Sequence, residues 1–164
     1  MNKSLLPVIT DAAKFCAIVE QSRDFEKEDF ISQVLGLLPK IYLHFYEQLT
    51  IAIEDDYDAF SRSFVDEAHY NDVRNGIAVL MGEDDVFLDT FVEDMKYSDT
   101  PVAASISESL ADIFQPLYDF VALVKETDGQ QADFAYSECR ELFKEYWSQI
   151  LCNVLKALNN LHYK

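Results

Sequence analysis

The sequence predicts an all-α protein: an antiparallel helical bundle of about five helices, with kinks at Pro39 and Pro116, forming one domain over residues 1–164. Apolar residues recur at intervals of three and four along most of the chain, which is the helical period. Only 4 Gly and 4 Pro occur in 164 residues, few for a turn-rich β protein. No stretch shows strand-like alternation, and a chain of this length can fold without a disulfide or a metal.

The predicted helices have recognisable ends. Ser4 is a candidate N-cap for the first helix, Gly82 ends the third, and Ser105-x-x-Glu108 fits a capping box for the fourth, which otherwise starts at Thr100-Pro101. The approximate bounds in chain order are residues 4–20, 24–49, 63–81, 100–126 or 105–126, and 130–161.

Two prolines lie inside predicted helices. Pro39 cannot donate to the carbonyl of Leu35, so we expect a kink, or two helices meeting near Gly36. Pro116 in the same way leaves the carbonyl of Asp112 without its helical donor.

Two connecting regions are rich in carboxylates. Residues 50–63 contain an acidic cluster, and residues 83–99 alternate acids with apolar side chains at roughly helical spacing. We expect one or two short helices over 83–99. The last helix is apolar over a broad arc in its second half, which predicts that it is central to the bundle.

The formal charge of −17 is concentrated in the middle of the chain. Residues 54–100 contribute −11, with 14 acidic and 3 basic side chains. Such a field repels nucleic acid and anionic lipid, so we expect no binding to nucleic acid or to membranes. Solubility alone explains the charge, although the same field attracts basic partners and cations.

The cysteines and the termini indicate a reducing compartment. Cys16, Cys139 and Cys152 form no C-x-x-C pair and lie beside apolar neighbours, as buried free thiols do, so we predict core packing for all three. The N-terminus does not resemble a signal peptide, and the longest apolar runs are too short to span a bilayer. We therefore expect a cytoplasmic protein that needs no cofactor.

Two metal-site patterns fail on their ligands. An EF-hand loop over residues 56–67 has Phe60 and Ser61 where the loop needs a ligand and a glycine. A di-metal carboxylate bundle needs two Glu-x-x-His pairs, and only Asp66-x-x-His69 approaches that pattern.

A third pattern is that of a magnesium-dependent helical hydrolase. Glu138-x-x-Glu141 and Glu26-x-x-Asp29 have the spacing of paired metal ligands on helices. No glycine-rich phosphate loop or basic cluster accompanies them, and a chain with 30 acids contains such pairs by chance.

The most specific chemical feature surrounds Pro116. The freed carbonyl of Asp112 lies near the side chains of Glu108, Asp112 and Asp119 on one face of the predicted helix. Carboxylate and carbonyl oxygens suit a hard cation, so these three acids are the candidate metal ligands. We prefer the interpretation that the kink faces water, because acids on the polar face of an amphipathic helix need no other cause.

Two segments resemble a known family. Residues 82–124 contain "SDTP" and "SESLADI", and the C-terminal stretch FKEYWSQILCNVLKALNNLHY contains "YW". These elements resemble an uncharacterised bacterial family of small acidic all-helical proteins, a domain of unknown function. The resemblance implies a helical bacterial protein and supplies no catalytic residues.

Two functions follow as hypotheses. The leading one is a non-enzymatic interaction module whose acidic surface binds a basic protein, or which associates with itself. The alternative is a divalent-metal-dependent hydrolase, with Glu108, Asp112 and Asp119, or Glu138 and Glu141, as ligands. A charge-driven complex should weaken as salt rises, whereas a metal enzyme should gain thermal stability with magnesium or manganese.

Overall fold

The computed structural model describes residues 3–47, 62–89 and 102–164, and these residues form a helical bundle. A π-helical segment, Phe143–Trp147, joins the last two α-helices, so that 132–162 form one continuous helix and the bundle has about five, as predicted. None of the described helices is long and apolar enough to cross a membrane. The α-helices are α1 Leu6–Glu20, α2 Lys27–Tyr46, α3 Glu67–Met81, α4 Ile106–Glu126, α5 Ala132–Leu142 and α6 Ser148–His162.

Helix α4, and not the last helix, is the centre of the bundle. It packs against α1, α3, α5 and α6. Eleven of its 21 residues are buried, against four of the 15 residues of α6. The prediction that the last helix is central was therefore wrong, because an apolar arc does not by itself reveal how many neighbours will cover it.

Both internal prolines lie within unbroken helices. Pro39 is exposed on α2, and Pro116 is buried in α4, so the expectation that the second proline faces water was wrong. An interior proline costs about 3 kcal/mol, and burying one large aliphatic side chain returns about 1.5–3 kcal/mol. Helix α2 buries Leu37, Leu38 and Ile41 around its proline, so the helix persists and the alternative of two separate helices is wrong. The kinks themselves stay predictions.

A two-stranded antiparallel sheet replaces part of the helix expected after residue 82. Strand β1, Val86–Asp89, pairs with β2, Val102–Ser105, in a register that sets Val86 opposite Ser105. The predicted helix is wrong over 86–89, as is the prediction of no β structure. Phe87 turns toward the core, while Val86 and Leu88 are exposed. Gly82–Asp85 form a 3₁₀ turn, while residues 90–99 of the predicted acidic segment and the cluster at 54–58 lie outside the described residues.

Helix α1 begins differently from its prediction. Leu5 occupies its N-cap position without a side-chain cap bond, after a 3₁₀ turn over Lys3–Leu5, so Ser4 is not the cap. Pro7 lies in the first turn as expected.

Helices α3 and α4 begin and end where polar caps and a glycine allow. The Asp66 carboxylate accepts the backbone N–H of His69 at 2.7 Å and starts α3, and Gly82 ends it at a φ of 57°. Helix α4 starts after Ser105, whose hydroxyl oxygen accepts the backbone N–H of Glu108 at 3.2 Å. Ser105 is therefore the N-cap of α4, which confirms this half of the predicted capping box.

An aromatic cluster joins α2 to the second half of the chain. The ring of Phe45 lies 5.2 Å from Tyr136, 5.1 Å from Trp147 and 6.0 Å from both Phe120 and Phe143. Such contacts add stabilisation beyond the burial of apolar area. The cluster fixes α5 and the π segment against α2 and α4, and this positions the residues described next.

Candidate functional site

The three candidate ligands on α4 lie in different environments. Glu108 is exposed in the first turn, whereas Asp112 and Asp119 are half-buried. Asp112 faces α3 and Asp119 faces the segment 62–66 that leads into α3. The expectation that this face of α4 stays solvated was therefore wrong, because α3 packs along it.

Asp112 is held by two tyrosines. The phenol of Tyr70 donates a 2.6 Å hydrogen bond to its Oδ1, and the phenol of Tyr146 also hydrogen-bonds the carboxylate. Burial raises the pKa of Asp112, the hydrogen bond from Tyr70 opposes that rise, the negative charge of Glu108 adds to it, and the bond from Tyr146 opposes it. We call Tyr70, Glu108, Asp112 and Tyr146 the tyrosine–carboxylate cluster.

The cluster holds acidic groups without a paired cation. None of the ion pairs formed within the described part of the chain includes Glu108 or Asp112. Burial and the neighbouring carboxylate raise the pKa of Tyr70, and burial with the same charge raises that of Tyr146, so both phenols stay protonated donors. Arg74 lies one turn beyond Tyr70, its guanidinium carbon 6.0 Å from the centre of that ring.

The π-helical segment sets the position of Tyr146. Phe143 and Trp147 on either side of it are buried, whereas 52% of Tyr146 is exposed. The indole N–H of Trp147 donates to the carbonyl of Cys139 at 3.2 Å, which ties the wider π turn to the helix before it. A π turn inserts an extra residue into the helical period and often occurs at functional sites.

Sequence reasoning missed the tyrosines of the cluster. By the helical period alone, Tyr70 falls in an apolar stripe of the third predicted helix, and Tyr146 falls in the one-sided first half of the last predicted helix. The available signal was the phenol hydroxyl, which usually finds a hydrogen-bond partner when a tyrosine is buried. The regular helical period of 3.6 residues could not predict the π turn that brings Tyr146 to α4.

Asp119 anchors the chain that enters α3. Its carboxylate accepts the backbone N–H of Phe64 at 2.7 Å and that of Val65. Burial raises the pKa of Asp119, and these two bonds limit the rise. The side chain therefore supports the fold, because it satisfies backbone donors that would otherwise lack partners.

The described residues contain no group of three or more His, Cys, Asp or Glu side chains placed to hold a metal ion. Glu108, Asp112 and Asp119 are thus not gathered into one ligand set. Asp112 is engaged by phenols and Asp119 by backbone N–H groups. A hard cation needs several oxygen ligands converging on one point, and these three side chains do not supply them.

The acidic pairs of the hydrolase hypothesis have local roles. Glu141 pairs with Lys144 at 2.7 Å, and Glu138 borders a small cavity of about 60 Å³. Glu26 occupies the N-cap position of α2, and Asp29 lies in its first turn, where negative charge stabilises a helix. The structure brings neither pair into a wider carboxylate group among the described residues.

Two histidines form pairs with carboxylates on other helices. His69 Nε2 lies 3.1 Å from Glu20, and His44 Nε2 lies 2.7 Å from Asp11. Asp66 caps the backbone N–H of His69 and does not share a metal with its ring. The Asp66-x-x-His69 spacing is therefore a helix cap.

Part of the acidic middle region is used in structural contacts. Asp84 forms an ion pair with Lys27 at 3.0 Å, and this partner lowers the pKa of Asp84. Asp85 accepts both the backbone N–H and the hydroxyl of Ser107, at 2.8 and 2.7 Å. These carboxylates fix the turn after α3 to the starts of α2 and α4, so the net charge overstates how many acidic groups are available to a partner.

The cysteines follow their prediction in two cases of three. Cys16 and Cys139 are buried, and burial raises the pKa of each thiol. Cys152 is exposed, so the prediction of core packing was wrong there. It lies on the outer side of α6, whose buried residues fall on the opposite face.

Comparison with known proteins identifies relatives without assigning an activity. The family model for a domain of unknown function, DUF5063, matches residues 1–164. The crystal structure of protein BF1032 from Bacteroides fragilis, a structural genomics target, is 26% identical and superposes with a TM-score of 0.82. The match covers 99% of this chain and 94% of that one. No curated protein matches the chain.

Proposed function

The chain belongs to the DUF5063 family, a domain of unknown function, and on this premise we propose that it is a non-enzymatic interaction module for a basic protein. The tyrosine–carboxylate cluster is the proposed contact point. A lysine or arginine side chain of the partner would bind there, against the carboxylates of Glu108 and Asp112.

One observation carries the proposal. Asp112 is a half-buried carboxylate whose hydrogen-bond partners are neutral phenols, and the described residues place no cation against it. Removing a carboxylate from water is unfavourable unless a positive charge compensates for it. A cation from a partner would supply that compensation, through charge-assisted hydrogen bonds that are stronger than neutral ones.

The cluster is accessible from solvent. Glu108 is exposed, and 52% of Tyr146 is exposed beside it. A tyrosine ring attracts a cation to its face, and tyrosine is enriched at protein interfaces. Because Arg74 already lies against Tyr70, we expect the incoming cation on the side of Tyr146 and the two carboxylates.

The charge of the chain favours a basic partner of this kind. With a formal charge of −17, the protein repels polyanions and attracts positively charged surfaces over a distance. Electrostatic complementarity of this sort raises association rates and falls as salt screens it. The long-range electrostatic field would bring the partner close, and the tyrosine–carboxylate cluster would be its specific binding site.

A titration with a short oligolysine peptide tests the proposal. Backbone amide shifts of isotopically labelled protein would be followed at low and at high sodium chloride concentration. We expect saturable shifts centred on Tyr146 and the first turns of α4, with affinity falling as salt rises. Glu108→Gln and Asp112→Asn should each weaken binding several-fold, since each removes one negative charge from the proposed binding site.

Glu28→Gln is the matched control, because Glu28 is exposed in the first turn of α2, a helix that contributes no residue to the cluster. It removes the same charge and should leave binding nearly unchanged. Equal losses of affinity in all three variants would show that only the net charge of the protein matters, and the proposed binding site would be rejected. Dimer formation that depends on Glu108 would instead identify a second copy of the chain as the partner.

A further inference from the structure

We infer that the groove between α2 and α6 is a binding site for a small organic carboxylate. The groove has a volume of about 540 Å³. One wall comes from α2 with Gly36 and Pro39, and the other from α6 with Lys156 and Asn159. Small-molecule sites in proteins have volumes of this order.

Gly36 supports the site because the packing of the helix does not explain why a glycine is present at this position. It lies in the middle of α2, where glycine weakens a helix relative to alanine. A Cβ atom added at Gly36 would meet nothing within 4 Å. At Gly76 on α3, by contrast, it would lie 2.7 Å from the hydroxyl oxygen of Ser22, so packing explains that glycine. Close approach of a ligand to the backbone is a remaining reason for Gly36.

Pro39 provides a hydrogen-bond acceptor on the same wall. Because proline has no N–H, the carbonyl of Leu35 lacks its usual donor four residues later. Leu35 also lines the groove, as do Gly36 and Pro39. Gly36 and Pro39, two residues that disfavour helices, thus lie about one turn apart beside an open groove. A ligand N–H could donate a hydrogen bond to the carbonyl of Leu35 there.

Charge decides which class of ligand fits. Among the described residues, the groove is lined by Lys156 and His162 and by no carboxylate, and α6 contains no Asp or Glu, in a protein with 30 acids and 13 basic residues. Lys156 is exposed and takes part in none of the ion pairs within the described ranges. Lys156 also borders a neighbouring cavity with Asp89. An anionic group in the groove would nevertheless meet an ammonium that belongs to no ion pair among the described residues.

These features together define the ligand. A carboxylate would bind the ammonium of Lys156, and an amide N–H would donate to the carbonyl of Leu35. An apolar body would pack on Leu155 and on the ring of Tyr163, whose centre lies 4.6 Å from that of His162. The ligand class is a small N-acylated amino acid or a compound of the same shape and charge. This inference uses no residue of the tyrosine–carboxylate cluster, so either proposal can fail alone.

The test compares two probes of nearly equal shape. N-acetylleucine carries the carboxylate and the N–H, and N-acetylleucine amide lacks only the charge. Each would be titrated into isotopically labelled full-length protein while backbone amide shifts are recorded. We expect saturable shifts at Gly36 and Asn159 with the carboxylate, and at least a five-fold weaker effect with the amide. Equal shifts from both probes, or shifts away from the groove, would overturn the inference.

Two variants separate charge from shape. Lys156→Gln should reduce the affinity for N-acetylleucine several-fold, while Lys125→Gln on α4 removes the same charge outside the groove and should not. Gly36→Leu places a side chain in the open space above α2 and should abolish the shifts while the protein stays folded. Retained binding in Gly36→Leu, or equal losses in the two lysine variants, would refute the site.

Discussion

The packed surface of α3 and the groove between α2 and α6 show how the same chain uses helix packing in opposite ways. On the first, which we call the closed face, side chains fill the space: Tyr70 reaches Asp112 of α4 at 2.6 Å, and a Cβ at Gly76 would collide with Ser22 in the turn before α2. On the second, the space above Gly36 is open. Among the described residues, the closed face half-buries the Asp112 carboxylate without an ion-pair partner, whereas the open face exposes the Lys156 ammonium without one.

This difference shows that the net charge of the protein does not predict which charged groups are available on a given face. The acids near α3 take part in caps, ion pairs and hydrogen bonds with phenols, whereas Lys156 and His162 of α6 form no ion pair among the described residues. The charged groups most available to a ligand or partner are therefore those that the fold leaves without an opposite charge. Asp112 and Lys156 are such groups, of opposite sign, and the following experiments probe their surroundings.

The largest expected effect breaks the closed face at Gly76. In Gly76→Ala the new Cβ would lie 2.7 Å from the Ser22 hydroxyl oxygen and 2.9 Å from Arg23 Nη1, so the buried Ser22 side chain, or the turn that carries it, must shift. Overpacking of this kind lowers the free energy of unfolding by about 1–3 kcal/mol. Urea unfolding followed by circular dichroism would measure it. A loss of less than about 0.5 kcal/mol would show that the turn adapts freely.

Tyr70→Phe removes one of the two phenol donors to Asp112. Hydrogen bonds to charged groups contribute about 1.5–3 kcal/mol, but solvent reaches this half-buried site, so we expect a loss of about 1–2 kcal/mol in unfolding free energy. Tyr163→Phe is the control, because 76% of Tyr163 is exposed. Equal stability of the two variants would show that the Tyr70 bond adds nothing to the fold.

Gly36→Ala sharpens the contrast with Gly76 because its expected effect has the opposite sign. Alanine should raise the unfolding free energy by about 0.5–1 kcal/mol, since it favours the helix and its Cβ enters open space. The same urea titration measures it. Destabilisation would mean that the groove above α2 is not open in solution.

The smallest effect is a difference in the pH dependence of stability. Because burial raises the pKa of Asp112 above its ordinary value of 3.8, the folded state binds that proton more tightly than the unfolded state. The contribution of Asp112 to stability is therefore greatest at low pH and is lost as pH rises through its raised pKa. Asp112→Asn should lack this loss, so its stability relative to the natural chain should increase from acid toward neutral pH.

Asp84→Asn is the opposite-signed control for that measurement. Lys27 lowers the pKa of Asp84, so the carboxylate stabilises the fold above pH 3.8 and this contribution disappears as pH falls. Its variant should therefore lose stability relative to the natural chain as pH rises toward neutral. Unfolding curves at several pH values would compare the two variants. The same slope in both would contradict the assignment for Asp112.

The fold was predictable largely because its signals are local. Ser105 and Gly82 mark helix ends through their own chemistry, and the apolar period marks the helices between them. The strand pair was missed since β1 spans only Val86–Asp89 and takes its partner from beyond residue 101. The sequence also indicated Glu108, Asp112 and Asp119 together, but it could not show that α3 would cover Asp112 or that the segment before α3 would cover Asp119.

By itself, the sequence determined the helical class, the approximate helix bounds and the excess of acid, because periodicity, capping and charge are properties of neighbouring residues. Tertiary packing decided which helix is central, which carboxylates are desolvated and where Tyr146 lies. Those outcomes depend on which helices meet, and a contact such as Tyr70 with Asp112 joins residues 42 positions apart. Burial and the groups facing a residue are properties of the assembled bundle, so they follow only from its structure.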